Sequence, residues 1–173
     1  MIYKRFLRFI FFNLLYSYRL RFTILFYLKL LTPIDKKIKE SKVVFIHIPK
    51  NAGVSIASLI YKKQIGHKAL NFYIMKCKTL FDDYFVFTVV RDPVERFISA
   101  YYYLLNGGSG NLYDLICKKY LLTFNDINHF IDQAVIFNNL SLITHFRTQA
   151  SFISHKNKIF KEIKIFNLER VHM

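Results

Sequence analysis

The chain has 173 residues, of which 53% are hydrophobic, with 19 Phe, 12 Tyr and no Trp, and its mean hydropathy is +0.21. That is the length of one ordinary domain and too apolar for a disordered protein, while two cysteines are too few for a disulfide framework. The formal net charge of +15 attracts anions and cannot by itself choose among nucleic acid, acidic lipid, polyanionic sugar and phosphate-bearing nucleotide.

Residues 1–32 stand apart as a basic, amphipathic, helical segment. The first 31 residues hold six basic side chains and no acidic one. Their longest uncharged run, Phe9 to Tyr18, is ten residues, against roughly 20 for a membrane-spanning helix. Arg19 and Arg21 would stand inside the bilayer of any longer span. No small-residue cleavage site follows, so a secretory signal fits poorly. On a helical wheel Lys4, Arg5, Arg8, Arg19 and Lys29 share an arc of roughly 120°, beside a wide face of Phe, Leu, Ile and Tyr. That pattern suits a helix lying on acidic lipid. A true span and a helix packed on the domain are the two other placements.

Thr32-Pro33 ends the pattern, and residues 33–42 read as a charged linker. The expected globular domain, 43–173, opens with an apolar strand, Lys42 to Ile48, followed by helical spacing over 54–63. A second buried-type strand covers Tyr84 to Val90, and helical spacing returns from Val94 to Leu105, ended by Asn106-Gly107-Gly108. A helix is expected from Asn125, as its cap, to Phe137, and a last strand over Ile163 to Phe166. Strands without polar alternation, separated by helices, predict an α/β fold with a parallel sheet. Cys77 and Cys117 have no metal-type spacing and are expected as buried thiols, which favours a reducing compartment.

Two segments carry candidate chemistry. In Phe45 to Ser55 (FIHIPKNAGVS) a strand enters a tight loop of small residues and a helix begins at its end. Backbone N–H groups and the positive helix end then face one point, which suits a phosphate. Lys50 adds a cation and Ser55 a hydroxyl. This is not the nucleoside-triphosphate loop GxxxxGK[ST], because the lysine precedes the loop glycine, and a nucleotide kinase is therefore disfavoured. In Val89 to Tyr103 (VVRDPVERFISAYYY), Arg91 leaves a strand at the C-terminal edge, where open α/β sheets bind ligands, and Ser99 follows in the next helix. Taken singly, each segment is also compatible with an ordinary strand–helix corner carrying solvated charges.

Together the two segments resemble the paired donor signatures of the sulfotransferases, most closely those of the carbohydrate-acting branch. HIPK followed by small residues and Ser is similar to its first loop, and Arg91 to Tyr101 is similar to its RDPxxRxxSAY element. Leu122 to Ile131, Thr144 to Gln149 and Ile165 to Glu169 resemble later elements, so the likeness runs from about Val43 to Glu169.

The resemblance implies a P-loop-like parallel sheet flanked by helices, preceded here by the amphipathic helix. It also implies a donor, 3′-phosphoadenosine-5′-phosphosulfate (PAPS), bound without a metal. Lys50 would hold the 5′-phosphosulfate and neutralise the leaving bridging oxygen, with the backbone groups of Asn51, Ala52, Gly53, Val54 and Ser55 cradling the same phosphate. Arg91 and Ser99 would bind the 3′-phosphate. A base must take the acceptor proton; His67 is the first candidate and His145 the second, while His47 is expected to be structural.

The acceptor implied is a glycan hydroxyl, with acidic membrane contact through residues 1–31 and no specific nucleic acid. Location would be the cytoplasmic face of a bacterial membrane, or a Golgi membrane in a eukaryote. Three features depart from the family pattern: Val54 stands where a hydroxyl is usual, Thr148 where proline is usual, and Met173 follows Glu169 closely, as in a shortened domain. A non-catalytic nucleotide binder and a polyanion- or lipid-binding module are accordingly the alternatives.

Overall fold

The computed structural model describes residues 33–137, 140–155, 158–160 and 162–170, with residue 3, residues 6–11, and residues 13, 14, 16, 17 and 20. The chain divides into two compact units, Lys29–Arg96 with Thr148–Met173, and Met1–Leu28 with Phe97–Arg147.

The first of these holds a three-stranded parallel sheet. β1 (Val43–Ile46) pairs with β2 (Phe85–Val90), and β2 pairs in turn with β5 (Lys164–Asn167). A short antiparallel pair, β3 (Ser154–His155) and β4 (Lys158–Ile159), lies outside that sheet. The α/β parallel architecture expected from the sequence is present, with small shifts at element ends. β1 stops at Ile46 rather than Ile48, because Pro49 has no N–H for a ladder and restricts the residue before it.

β1 is an edge strand of this sheet, and two of its outer backbone groups meet one side chain. The buried Tyr61 hydroxyl accepts from Phe45 N (2.9 Å) and donates to Val43 O (3.0 Å). Burial pushes that phenol up to about 12, which keeps it a donor across the ordinary pH range. Tyr61 closes the helix Gly53–Tyr61, so this pair of bonds also pins the helix that follows the loop against the strand that precedes it.

Residues 33–42 are not a bare linker. Lys36–Ser41 is helical, Asp35 caps it by accepting from Lys37 N (2.9 Å), and Ile38 is fully buried. The charged residues hid one apolar anchor, and the Asp cap explains the start.

The second unit has an aromatic core. The helix Pro93–Leu105 ends where Gly107 and Gly108, both at positive φ, donate to Leu104 O and Tyr103 O. Leu112–Leu121 begins at Asn111, whose side chain accepts from Asp114 N (2.9 Å). The next helix is Ile127–Phe137, and its cap is Asp126 rather than Asn125. The Asp126 carboxylate accepts from His129 N (2.8 Å), the third helical N–H. Phe130 is buried between Phe97, Tyr101, Phe124 and Phe146, with ring centroids 5.2–6.2 Å apart.

Of the two cysteines, Cys117 is in this core, where burial pushes its thiol up to about 12. Cys77 is only partly buried, contrary to expectation, because it follows the short helix Leu70–Lys76 beside exposed Thr79 and Asp83.

The described residues between 3 and 20 are helical and pack on the aromatic unit. Arg8 donates to Thr123 O (3.0 Å) and Thr123 Oγ1 (3.3 Å), with its guanidinium 4.3 Å from the Phe124 ring centre, and Phe11 meets the core. Arg8 therefore turns inward. The outward side carries Tyr3, Phe6, Phe9, Tyr16 and Leu20, all exposed. Lys4, Arg5, Arg19, Arg21 and Lys29, the rest of the basic residues read from this segment, lie outside the described residues. No helix among the described residues is long and apolar enough to cross a membrane.

Candidate functional site

The site is built where β1 and β2 end side by side. Because the strands are parallel and in register, Ile46 opposite Thr88, both exits point the same way. The chain leaving β1 makes the turn His47 to Gly53, with Lys50 (φ 70°) and Ala52 (φ 55°) in the left-handed region. Two such residues in one short loop are strained, and strain of this kind collects at ligand sites. The helix Gly53–Tyr61 then starts with N–H groups that have no acceptor inside the helix.

Gly53 is required by close approach rather than by its torsion. A Cβ there would lie 1.8 Å from His47 Cδ2. His47 is buried, its ring 4.2 Å from that of His67 and 5.7 Å from that of Phe45. Its ring fills the space that a side chain at position 53 would need. His67 is exposed and anchored above it, with Nδ1 3.2 Å from His47 O.

Lys50 is partly buried. Burial first, and then the positive charge of Arg91, hold its ammonium below the ordinary lysine value. The cation of the second signature segment is thus close enough to disfavour the charge on Lys50, which an anion between them would reverse. Arg91 is paired with exposed Glu95 at 3.0 Å, one turn along, a contact that uses one of the guanidinium's five N–H groups.

Asn51 is fully buried. Its Nδ2 donates to Val89 O (2.8 Å) and Gln149 Oε1 (2.7 Å), while its Oδ1 is buried without a hydrogen-bond partner among the described residues. Val54 and Ser55 are both exposed in the first helical turn, and Ala52 is exposed in the loop. Asp92 starts the next helix by accepting from Val94 N and Glu95 N, both at 2.9 Å. Ser99 lies half-buried two turns into that helix, in the part that belongs to the aromatic unit. His145, the second base candidate, is buried in the aromatic unit, 5.2 Å from the Tyr103 ring.

Three residues given no role from the sequence tie the segments together. Gln149 accepts from Arg91 N (3.1 Å) and donates to Arg91 O (2.7 Å). Buried Arg96 donates to Pro49 O (3.4 Å), and Glu169 accepts from Asp92 N (2.8 Å). All three stand inside stretches that look like family elements; what the sequence lacked was any sign of which backbone groups they would meet.

The geometry therefore offers a strained loop that leads into a helix N-terminus, a lysine and an arginine at the C-terminal edge of adjacent parallel strands, and an exposed imidazole packed on the ring of His47. Such a site can hold a nucleotide bearing phosphate or sulfate groups. No curated protein and no solved structure matches the chain. The family model described as "Sulfotransferase family" matches residues 38–171, well over half of the sequence and inclusive of all three strands of the parallel sheet and both signature segments. The chain belongs to the sulfotransferase family and is a PAPS-dependent transferase.

Proposed function

We propose that this enzyme transfers the sulfuryl group of PAPS to a carbohydrate hydroxyl, using Lys50, the backbone of residues 51–55, Arg91 and Ser99 to bind the donor and His67 as the base. The observation that carries the reading is the pairing of Lys50 and Arg91. Two cations from two separate signatures stand at adjacent strand ends, close enough for Arg91 to disfavour the charge on Lys50, and an anion bound there would favour it again. The carbohydrate acceptor rests on the branch resembled in Arg91 to Tyr101, and the surplus of positive charge suits an acidic polysaccharide.

PAPS supplies an activated sulfuryl group whose bond to the 5′-phosphate oxygen breaks as the acceptor oxygen bonds to sulfur. Lys50 neutralises the charge that gathers on that bridging oxygen. The loop N–H groups fix the 5′ end in line, so positioning and charge stabilisation carry the rate, as in phosphoryl transfer. His67 receives the acceptor proton. With Nδ1–H directed at His47 O, the tautomer is set and Nε2 is the basic nitrogen. Arg91 and Ser99 recognise the 3′-phosphate.

Calorimetric titration with 3′-phosphoadenosine-5′-phosphate (PAP) and with AMP tests the donor site. PAP is expected to bind about 10–100-fold more tightly than AMP, and Arg91→Ala to abolish the difference, since charged hydrogen bonds contribute roughly 1.5–3 kcal/mol. Equal affinity of the wild type for the two nucleotides would sink the reading. A second reading, nucleotide binding without turnover, is favoured by one observation: Val54 presents a methyl-bearing face to solvent where the family pattern has a hydroxyl. PAP binding without sulfate transfer to any of a panel of desulfated polysaccharides would select it.

The acidic membrane surface is proposed as the partner of the N-terminal helix. The outward stripe of Tyr3, Phe6, Phe9, Tyr16 and Leu20 would enter the headgroup layer, in a segment of six basic and no acidic residues. In flotation assays the protein is expected to rise with phosphatidylcholine vesicles containing phosphatidylglycerol and not with phosphatidylcholine alone. Phe6→Asp with Phe9→Asp should cut the bound fraction about tenfold or more, because two buried aromatic contacts of roughly 1.5–3 kcal/mol each are lost. Equal flotation of the double variant would reject the stripe as the contact.

A further inference from the structure

We infer that Gln149 is the positioning residue that sets the spacing between the two donor-binding segments, through an amide bridge to Asn51 and to the Arg91 peptide. The inference rests on the donor reading given above and adds to it a residue that touches neither phosphate. The β2–β5 ladder ends at Val90 opposite Asn167, so the N–H and C=O of Arg91 need partners beyond the sheet. Gln149 supplies both, accepting from Arg91 N at 3.1 Å and donating to Arg91 O at 2.7 Å. It copies with one side chain the pairing a neighbouring strand would give.

The same Gln149 Oε1 accepts from Asn51 Nδ2 at 2.7 Å, and the second Asn51 N–H goes to Val89 O at 2.8 Å. The amide orientations follow from the partners. Val89 O and Arg91 O can only accept and Arg91 N can only donate, so Asn51 must present Nδ2, and Gln149 must present Oε1 to one side and Nε2 to the other. Asn51 is fully buried and Gln149 partly so, where an unmade polar contact is costly. The loop that carries Lys50 is thereby bolted to the strand exit that carries Arg91. A loop moved by even a fraction of an ångström would change the distance between the 5′ and 3′ contacts of one rigid nucleotide.

The test is calorimetry of PAP and AMP on the full chain, for wild type, Gln149→Ala, Gln149→Glu, Arg91→Ala and the double variant Gln149→Ala with Arg91→Ala. Gln149→Ala is expected to weaken PAP on the order of 10–100-fold, for two or three buried hydrogen bonds lost, and to shrink the PAP-over-AMP preference toward one. The same change made on Arg91→Ala should cost PAP binding much less than in the wild type, since the contact it positions is already gone. Gln149→Glu keeps the size and the acceptor oxygen but sets a carboxylate oxygen against Arg91 O, and should behave like the alanine variant. It serves as the folded comparison if Gln149→Ala does not fold, folding being checked by circular dichroism.

A folded Gln149 variant that keeps the wild-type preference for PAP, or full additivity with Arg91→Ala, would overturn the inference. Failure of the wild type itself to prefer PAP would overturn the donor reading instead, and the inference with it.

Discussion

Lys50→Met is expected to lower sulfate transfer about 10²–10³-fold, the usual effect of removing one charge-stabilising group from a transition state. Transfer to desulfated polysaccharides, followed by PAP release, is the measurement. PAP affinity should fall far less than turnover, because the product's 5′-phosphate keeps the loop N–H groups and its 3′-phosphate keeps Arg91, and the leaving charge on the bridging oxygen exists only during reaction. The pH profile carries a second signature. The folded Lys50 pKa is lowered, first by burial and then by Arg91, so the ammonium form is lost at a lower pH than for an ordinary lysine. The kcat/KM for PAPS, which reports the enzyme before the donor binds, should decline as pH rises through that lowered value, and Arg91→Ala should move the decline to higher pH.

For stability the sign is opposite to that of a paired group. A lysine whose folded pKa lies below its unfolded value binds its proton more tightly when unfolded, so its charge opposes folding below the folded pKa. The penalty fades as pH climbs through the folded value to the unfolded one. Lys50→Met should thus leave the thermal midpoint at neutral pH unchanged or raised while activity collapses. A parallel fall in stability and turnover would mean that Lys50 holds the loop rather than the reaction.

The sheet and its two signature segments were legible because each rests on a local rule. Apolar runs without alternation gave parallel buried strands, and Pro49 and Pro93 marked where they end. The loop's cation and the strand-exit arginine were legible for the same reason, being fixed by one strand and one turn each. What escaped was tertiary. The loop gave Asn51 a reading for its backbone alone, and nothing local foretold that its side-chain amide would reach Val89 and Gln149, a residue nearly a hundred positions away. The helix Lys36–Ser41 was hidden by its charges, since a single buried residue, Ile38, is too sparse a pattern to set a period.

The N-terminal helix shows the same limit from the other side. Its wheel gave a basic arc and an apolar arc, and either could face the protein. Arg8 settles on Thr123 and Phe124, so part of the basic arc packs inward and aromatic side chains are left outside. A guanidinium can do this because its flat face packs on a ring while its N–H groups reach a carbonyl. No periodicity could have revealed that choice, which depends on a carbonyl at residue 123.

Gly53→Ala is expected to be the most damaging single-methyl change in the sheet unit. The new Cβ would lie 1.8 Å from His47 Cδ2 and 2.1 Å from Nε2, distances at which something must move. His47 has little room to retreat, being 4% exposed and set between the rings of Phe45 and His67. The loop would have to lift instead, carrying Lys50 and the N–H groups off their positions. A loss of about 3 kcal/mol, the upper part of the usual overpacking range, is expected in urea denaturation, with PAP binding reduced beyond detection. The cause can be isolated by pairing the change with His47→Ala, which removes the ring but keeps the His47 carbonyl that holds His67 Nδ1. His47→Ala alone should destabilise by leaving a cavity, yet the double variant should be more stable than the sum of the two losses by over about 1 kcal/mol, since the methyl enters space the ring has vacated. Simple additivity would show that Gly53 is needed for its backbone freedom and not for the contact with His47. Recovery of PAP binding in the double variant, where His67 still stands on its carbonyl, would identify the imidazole of His47 as a floor for the loop and not a participant in the chemistry.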